Sequence, residues 1–200
     1  MKNIVYLFSI LLSATAVAQH TAADFTRYKD SINNVYKNGN ASPLTPVDKD
    51  LFKELNFYPY NPEFVVEARF EKIQNPDEIV LKTTTTRRPV YSRYGYLHFK
   101  LKGAPQKLVV LKDASTKPGD EYHNYLSLYF TDATSGNETY GVGRYMGLWA
   151  PLGEKVTLDF NTTYNPYCAY SYRYSCPIPP AENYLDIKVE AGIKKGFVKE

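Results

Sequence analysis

Tyr122-His-Asn-Tyr-Leu-Ser-Leu-Tyr-Phe130 alternates along its whole length. Tyr122, Asn124, Leu126, Leu128 and Phe130 fall on one face, and His123, Tyr125, Ser127 and Tyr129 on the other, the period of two that a pleated strand requires. Upstream, Phe64-Val-Val-Glu-Ala-Arg-Phe70 and Glu78-Ile-Val-Leu-Lys-Thr-Thr84 are rich in β-branched side chains, with a turn at Asn75-Pro76-Asp77 between them. Val90 to Tyr94, Tyr96 to Leu101 beyond Gly95, and Lys107 to Leu111 continue the series. A polar loop from Asp113 to Glu121 precedes the alternating stretch. After it, Thr134 to Asn137 turns into Glu138 to Val142, then come Lys155 to Phe160 and Tyr184 to Glu190. About eight or nine short strands with no helices between them predict an antiparallel β-barrel or sandwich. A parallel α/β sheet would need crossover helices.

The N-terminal part has a different period. Thr21-Ala-Ala-Asp24 reads as a capping box, and Phe25, Tyr28, Ile32 and Val35 follow at helical spacing, so a helix is expected from Ala22 to Tyr36. Gly39 ends it. Between Val47 and Leu55 one or two helical turns would bury Leu51, Phe52 and Leu55. The expected organisation is a leader over residues 1–18, a helix and linker over 19–43, and a mainly β domain over 44–200.

The leader has the three parts of a secretory signal: Lys2, an apolar run from Ile4 to Val17, and Ala16-Val17-Ala18 as the cleavage box. The run is too short to span a bilayer comfortably, and no cysteine follows it to carry a lipid. The expectation is export to the periplasm or beyond, with cleavage at Ala18/Gln19 and no membrane anchor. Apolar residues are 44% and mean hydropathy is −0.42, which excludes both a disordered chain and a multi-span membrane protein. The formal charge of +3 becomes +2 without Lys2, too weak and scattered for a nucleic-acid partner. Cys168 and Cys176 are the only cysteines. In an oxidising compartment their spacing favours a disulfide over half a metal site or a redox pair.

Chemistry-bearing motifs are missing: there is no G-x-S-x-G, H-E-x-x-H, EF-hand loop or P-loop. Gly141-Val-Gly143-Arg-Tyr-Met-Gly147 resembles a dinucleotide turn but runs into Trp149-Ala-Pro151 rather than a helix. His98 and His123 are expected exposed on strands, apart from His20, and neither a cofactor nor a metal is expected.

The unusual residues concentrate between Asp132 and Asn183. Tyr140, Arg144, Asp159, Asn161, Tyr164, Asn165 and Asn183 are the candidate ligand-binding residues, with Arg144 the natural partner for the Asp159 carboxylate. Here two long ordered motifs carry a resemblance. Asp132-Ala-Thr-Ser-Gly-Asn-Glu-Thr-Tyr-Gly141 with Gly143-Arg-Tyr145 is similar to one signature of the DUF1684 family. Asp159-Phe-Asn161, Tyr164-Asn-Pro-Tyr-Cys-Ala-Tyr170, Tyr174-Ser-Cys-Pro-Ile-Pro-Pro180, Asn183 and Ala191-Gly192 resemble its C-terminal signature. The likeness runs from about Leu44 to Ala191. It implies membership and no activity, since the family is defined by having none known. It also implies that the cysteine pair occurs in members without export signals, which keeps a structural-thiol or metal role open.

Three functions fit. The first is a non-enzymatic β domain whose tyrosines and Arg144 bind a small polar or anionic molecule. The second is a hydrolase-like enzyme using Asp159 with Arg144 and a second carboxylate at Glu138 or Glu182. The third is an interaction protein presenting the segment Cys168 to Asn183, stiffened by Pro177, Pro179 and Pro180. No protein partner is indicated by the sequence.

Overall fold

The computed structural model describes residues 20–196, so the leader reading over residues 1–18 lies outside the described residues. Thr21 caps helix α1 (Ala22–Asn38): its hydroxyl accepts from the Asp24 N–H, and the Asp24 carboxylate accepts from the Thr21 N–H in return. A second capping box, Thr45 with Asp48, starts the short helix α2 (Pro46–Leu51). Leu51 is 67% exposed and does not pack inward as expected, whereas Phe52 and Leu55 are buried under α1 with Tyr36 and Leu44.

The rest is mainly β. Strands β1 (Val65–Lys72), β2 (Glu78–Val80), β3 (Val90–Leu101), β4 (Ala104–Asp113), β5 (Tyr125–Asp132), β6 (Arg144–Trp149), β7 (Lys155–Asp159) and β8 (Tyr184–Leu185) form one sheet. Its order is β6-β5-β4-β3-β1-β7, with β2 added on β3 and β8 on β5. Every pairing is antiparallel except β5 with β8. The sheet curls into a half-barrel with β6 and β7 at its ends.

Two of the sequence expectations change. Glu138 to Val142 is a turn, not a strand, and Arg144–Trp149 is the strand instead. Gly143 makes the switch: at φ +106 its Cα lies against the Phe130 carbonyl, where any Cβ would clash. The apparent dinucleotide turn is thus a strand entry. His123 sits, half-buried, in the turn before β5, while His98 lies on β3 beside Glu71 at 3.0 Å.

The sheet is buried on both faces, which explains why alternation was clean in few places. Leu108, Val110, Leu126, Leu128 and Phe130 fill the concave core with Phe64, Leu97 and Phe160. Val109, Leu111, Tyr129 and Tyr145 form a second layer on the other face, covered by the segment carrying Cys168 and Cys176. Tyr91 and Leu97, six residues apart, would share a face in a regular strand. A bulge between Arg93 and Gly95 sends Tyr91 to the second layer and Leu97 to the core. Gly95 permits it because a Cβ there would overlap the Phe70 ring.

Candidate functional site

The polar residues read from the sequence divide among four places. Arg144 is wholly buried at the start of β6. It donates through Nη2 to Asp132 Oδ2 at 3.2 Å and to the Val189 carbonyl at 2.8 Å, and through Nη1 to the Ala191 carbonyl. Its carboxylate partner is therefore Asp132 and not Asp159. Burial lowers the guanidinium pKa, and the Asp132 charge opposes that shift. Asp132 also accepts from Thr134 Oγ1 and the Val189 N–H, so this pair anchors the C-terminal segment to β5 and β6.

Asp159 ends β7 and caps the turn that follows. Its Oδ1 accepts from the Asn161 main-chain N–H at 2.9 Å and from Asn161 Nδ2 at 2.8 Å, while Oδ2 lies 3.2 Å from His20 Nδ1. Asn161 in turn accepts from the Asn61 N–H and donates to its carbonyl. Asn183 makes a third structural site. Its side-chain oxygen accepts from the Val109 N–H at 2.7 Å, and its Nδ2 donates to the carbonyls of Val109 and Tyr129. The β4–β5 ladder has a single register pair, Leu111 with Ser127, and this amide stands in for main-chain bonds where the strands splay.

Tyr164 does reach a cavity. Its backbone pairs with Tyr145 in an isolated antiparallel bridge beside β6, and its hydroxyl meets Tyr125 Oη at 2.9 Å. Asn165 donates to Tyr170 Oη at 3.2 Å, and its own side-chain oxygen is buried with no partner among the described residues. Tyr140 closes the back of the thiol pair, its Oη 3.9 Å from Cys168 Sγ.

The cavity is about 550 Å³ and lies between α1 and the second layer of the sheet. Helix α1 contributes Tyr28, Ser31, Ile32, Val35 and Tyr36 to one wall, and β6 contributes Tyr145. The opposite wall is Tyr164, Pro166 and Tyr167, then Tyr174 to Pro177. Tyr145 and Tyr164 meet edge to face at 6.1 Å, and Tyr167 and Tyr174 at 5.1 Å. Burial pushes the phenols of Tyr28, Tyr36, Tyr145 and Tyr164 well above their ordinary value, so they remain neutral donors and supply no phenolate. The Tyr28 hydroxyl is buried without a hydrogen-bond partner among the described residues.

Sequence reasoning missed most of this lining. The signal was present in α1: Tyr28, Ile32 and Val35 follow one another at helical spacing, and the face they share lines the cavity. The thiols of Cys168 and Cys176 adjoin each other unbonded, the Cys168 N–H donating to Cys176 Sγ at 3.2 Å. Pro177 and Pro179 are buried, and the Ile178 N–H donates to the Lys82 carbonyl, so this segment is zipped down rather than projecting as a docking loop. Among the described residues no group of three histidine, cysteine or carboxylate side chains could hold a metal ion, and no helix is long and apolar enough to cross a membrane.

The family model for DUF1684, described as a protein of unknown function, matches residues 50–194. The chain belongs to the DUF1684 family. Its fold is shared by an uncharacterised protein of Haloarcula marismortui solved by NMR, at 31% identity and a TM-score of 0.66, covering 86% of this chain and 93% of that one. No curated protein matches the chain. The matched span of this DUF1684 protein holds every strand, most of the cavity wall and both cysteines, while the α1 wall lies before it.

Proposed function

We propose that this DUF1684 protein is a binding module for a flat, largely apolar small molecule carrying at least one hydrogen-bonding group, held among the tyrosines between α1 and the sheet. The observation that carries this reading is a 550 Å³ cavity walled by Tyr28, Tyr36, Tyr145, Tyr164, Tyr167 and Tyr174. Tyrosine walls combine apolar ring surface with hydroxyls, the mixture that holds a flat molecule and orients it by a few polar contacts. The size suits a drug-sized or metabolite-sized molecule. An anionic ligand is the weaker fit, because Arg144, the cation expected to hold it, is engaged by Asp132. The hydrolase reading loses its central pair for the same reason, and Asp159 is engaged by Asn161. Working outside the cytoplasm, after cleavage at Ala18/Gln19, is part of the proposal and rests on the leader residues.

The test is native mass spectrometry on protein from its exported fraction, followed by titration with planar phenols, indoles and naphthols. Saturable binding that quenches tyrosine emission, and that Ile32→Trp weakens at least tenfold by filling the cavity, supports the reading. Binding that is absent, or indifferent to Ile32→Trp in a folded variant, overturns it.

A further inference from the structure

The cysteine pair has a geometry that the ligand reading does not use. Cys168 lies in the 3-10 turn Tyr167–Ala169, and Cys176 opens the Pro177–Pro180 run eight residues later. Main-chain bonds hold them together before any covalent link forms. The Cys168 N–H points at Cys176 Sγ, the Cys176 N–H donates to Thr84 Oγ1 at 3.2 Å, and the Thr84 N–H donates to the Cys176 carbonyl at 3.0 Å. The donors around Cys168 are the Cys176 thiol, the Thr84 hydroxyl and the Tyr140 hydroxyl. Arg87 adds positive charge on the Cys176 side, where its Nη2 donates to the Ser175 carbonyl at 2.6 Å. Both thiols are buried, but Cys176 lies on the cavity wall beside Tyr145 and Pro177, so a small molecule has a route to that sulfur.

We propose that Cys168 and Cys176 form a reversible dithiol–disulfide site, reached through the tyrosine-walled cavity, that exchanges with low-molecular-weight aliphatic disulfides. The two thiols share one hydrogen bond, which lowers the pH at which the pair first loses a proton, and the second proton is then held more tightly. Thiol–disulfide exchange runs through the thiolate, and the main-chain N–H aimed at Cys176 Sγ and the place of Cys176 on the cavity wall present that sulfur to the incoming disulfide. The thiolate of the pair bonds to one sulfur of the small disulfide, whose S–S bond breaks and releases one small thiolate. The other cysteine then loses its proton, to that thiolate or to water, and attacks the protein sulfur of the mixed disulfide. The mixed disulfide breaks, the Cys168–Cys176 bond forms and the second small thiol leaves. The protein gives up two electrons and two protons, and one small disulfide becomes two small thiols. The spacing is longer than C-x-x-C, and it is the folded hydrogen bonds, not the sequence interval, that bring the pair together.

The experiment equilibrates the folded mature chain with glutathione mixtures of graded oxidised-to-reduced ratio, followed by acid quench, alkylation and intact-mass measurement. The expected result is one transition in which both thiols become protected together, with a mass loss of two hydrogens. Each single variant, Cys168→Ser and Cys176→Ser, should stall as a glutathione adduct on the cysteine that remains. Should either variant fail to fold, the wild-type transition alone decides the matter. Two alkylatable thiols persisting in the folded protein across every ratio, or stable adducts on both cysteines without an internal bond, would overturn the proposal. None of these readouts depends on what the cavity binds, so this test and the ligand test can fail separately.

Discussion

Arg144 and Asp132 form an ion pair with no solvent exposure on either side chain, Nη2 to Oδ2 at 3.2 Å, with further bonds to the backbone at Val189 and Ala191 and to the hydroxyls of Thr134 and Ser135. The pair ties the chain beyond β8 to the end of β5 and the start of β6, with the guanidinium 5.3 Å from the centroid of the Phe130 ring. Removing one partner leaves the other charge buried without compensation, which costs far more than the pair itself contributes.

Asp132→Asn should therefore destabilise the protein by about 3–5 kcal/mol in urea unfolding. Replacing both residues together, Asp132→Leu with Arg144→Met, should recover only part of that loss, because main-chain groups of Val189 and Ala191 then lose their partners. A single substitution costing under about 1 kcal/mol would contradict the buried-pair account.

Asn183→Ala removes three hydrogen bonds that substitute for a ladder between β4 and β5 and leaves Val109 and Tyr129 main-chain groups unsatisfied in the core. At about 1–3 kcal/mol for a stranded buried group, a loss of about 3 kcal/mol or more is expected. Hydrogen exchange at Val109 should accelerate more than at Leu97 in the β1–β3 region, and equal effects at both positions would show that the amide does not act locally.

Tyr28→Phe should leave stability unchanged or raise it by up to about 1 kcal/mol, because the deleted hydroxyl has no partner among the described residues. The same change should weaken ligand binding about tenfold if the hydroxyl bonds to the ligand. A clear loss of stability without ligand would show that this hydroxyl already has a structural role.

Alkylation of the reduced protein should rise through about pH 7, not near the ordinary thiol value, as the cysteine pair loses its first proton. The sign follows from the lowered folded value: the stabilisation it brings is fully present above the unfolded thiol's pKa and is lost as pH falls through about 7. The second proton of the pair works in the opposite sense at alkaline pH, since the shared bond and burial hold it on. Rates measured with iodoacetamide from pH 5 to 10 check this; a single midpoint at the ordinary thiol value would contradict it.

Much of the architecture was legible locally. The Thr21–Asp24 capping box, the β-branched runs and the alternation of Leu126, Leu128 and Phe130 depend on neighbours within one element, so period and propensity suffice. The long ordered motifs around Arg144 and Cys168 were legible as a family likeness for the same reason. The site was not. Arg144 pairs with a residue twelve positions away, although Asp159 offers the same carboxylate, because strand order decides which one lies beside it. Asn183 finds β4 across 74 residues of chain. The stripe Tyr28, Ile32 and Val35 is identical on paper whether it meets a filled core or an empty space. Local sequence determined the elements and their caps; packing at a distance decided which polar groups are structural, that the helix stripe lines a cavity, and that two thiols meet there.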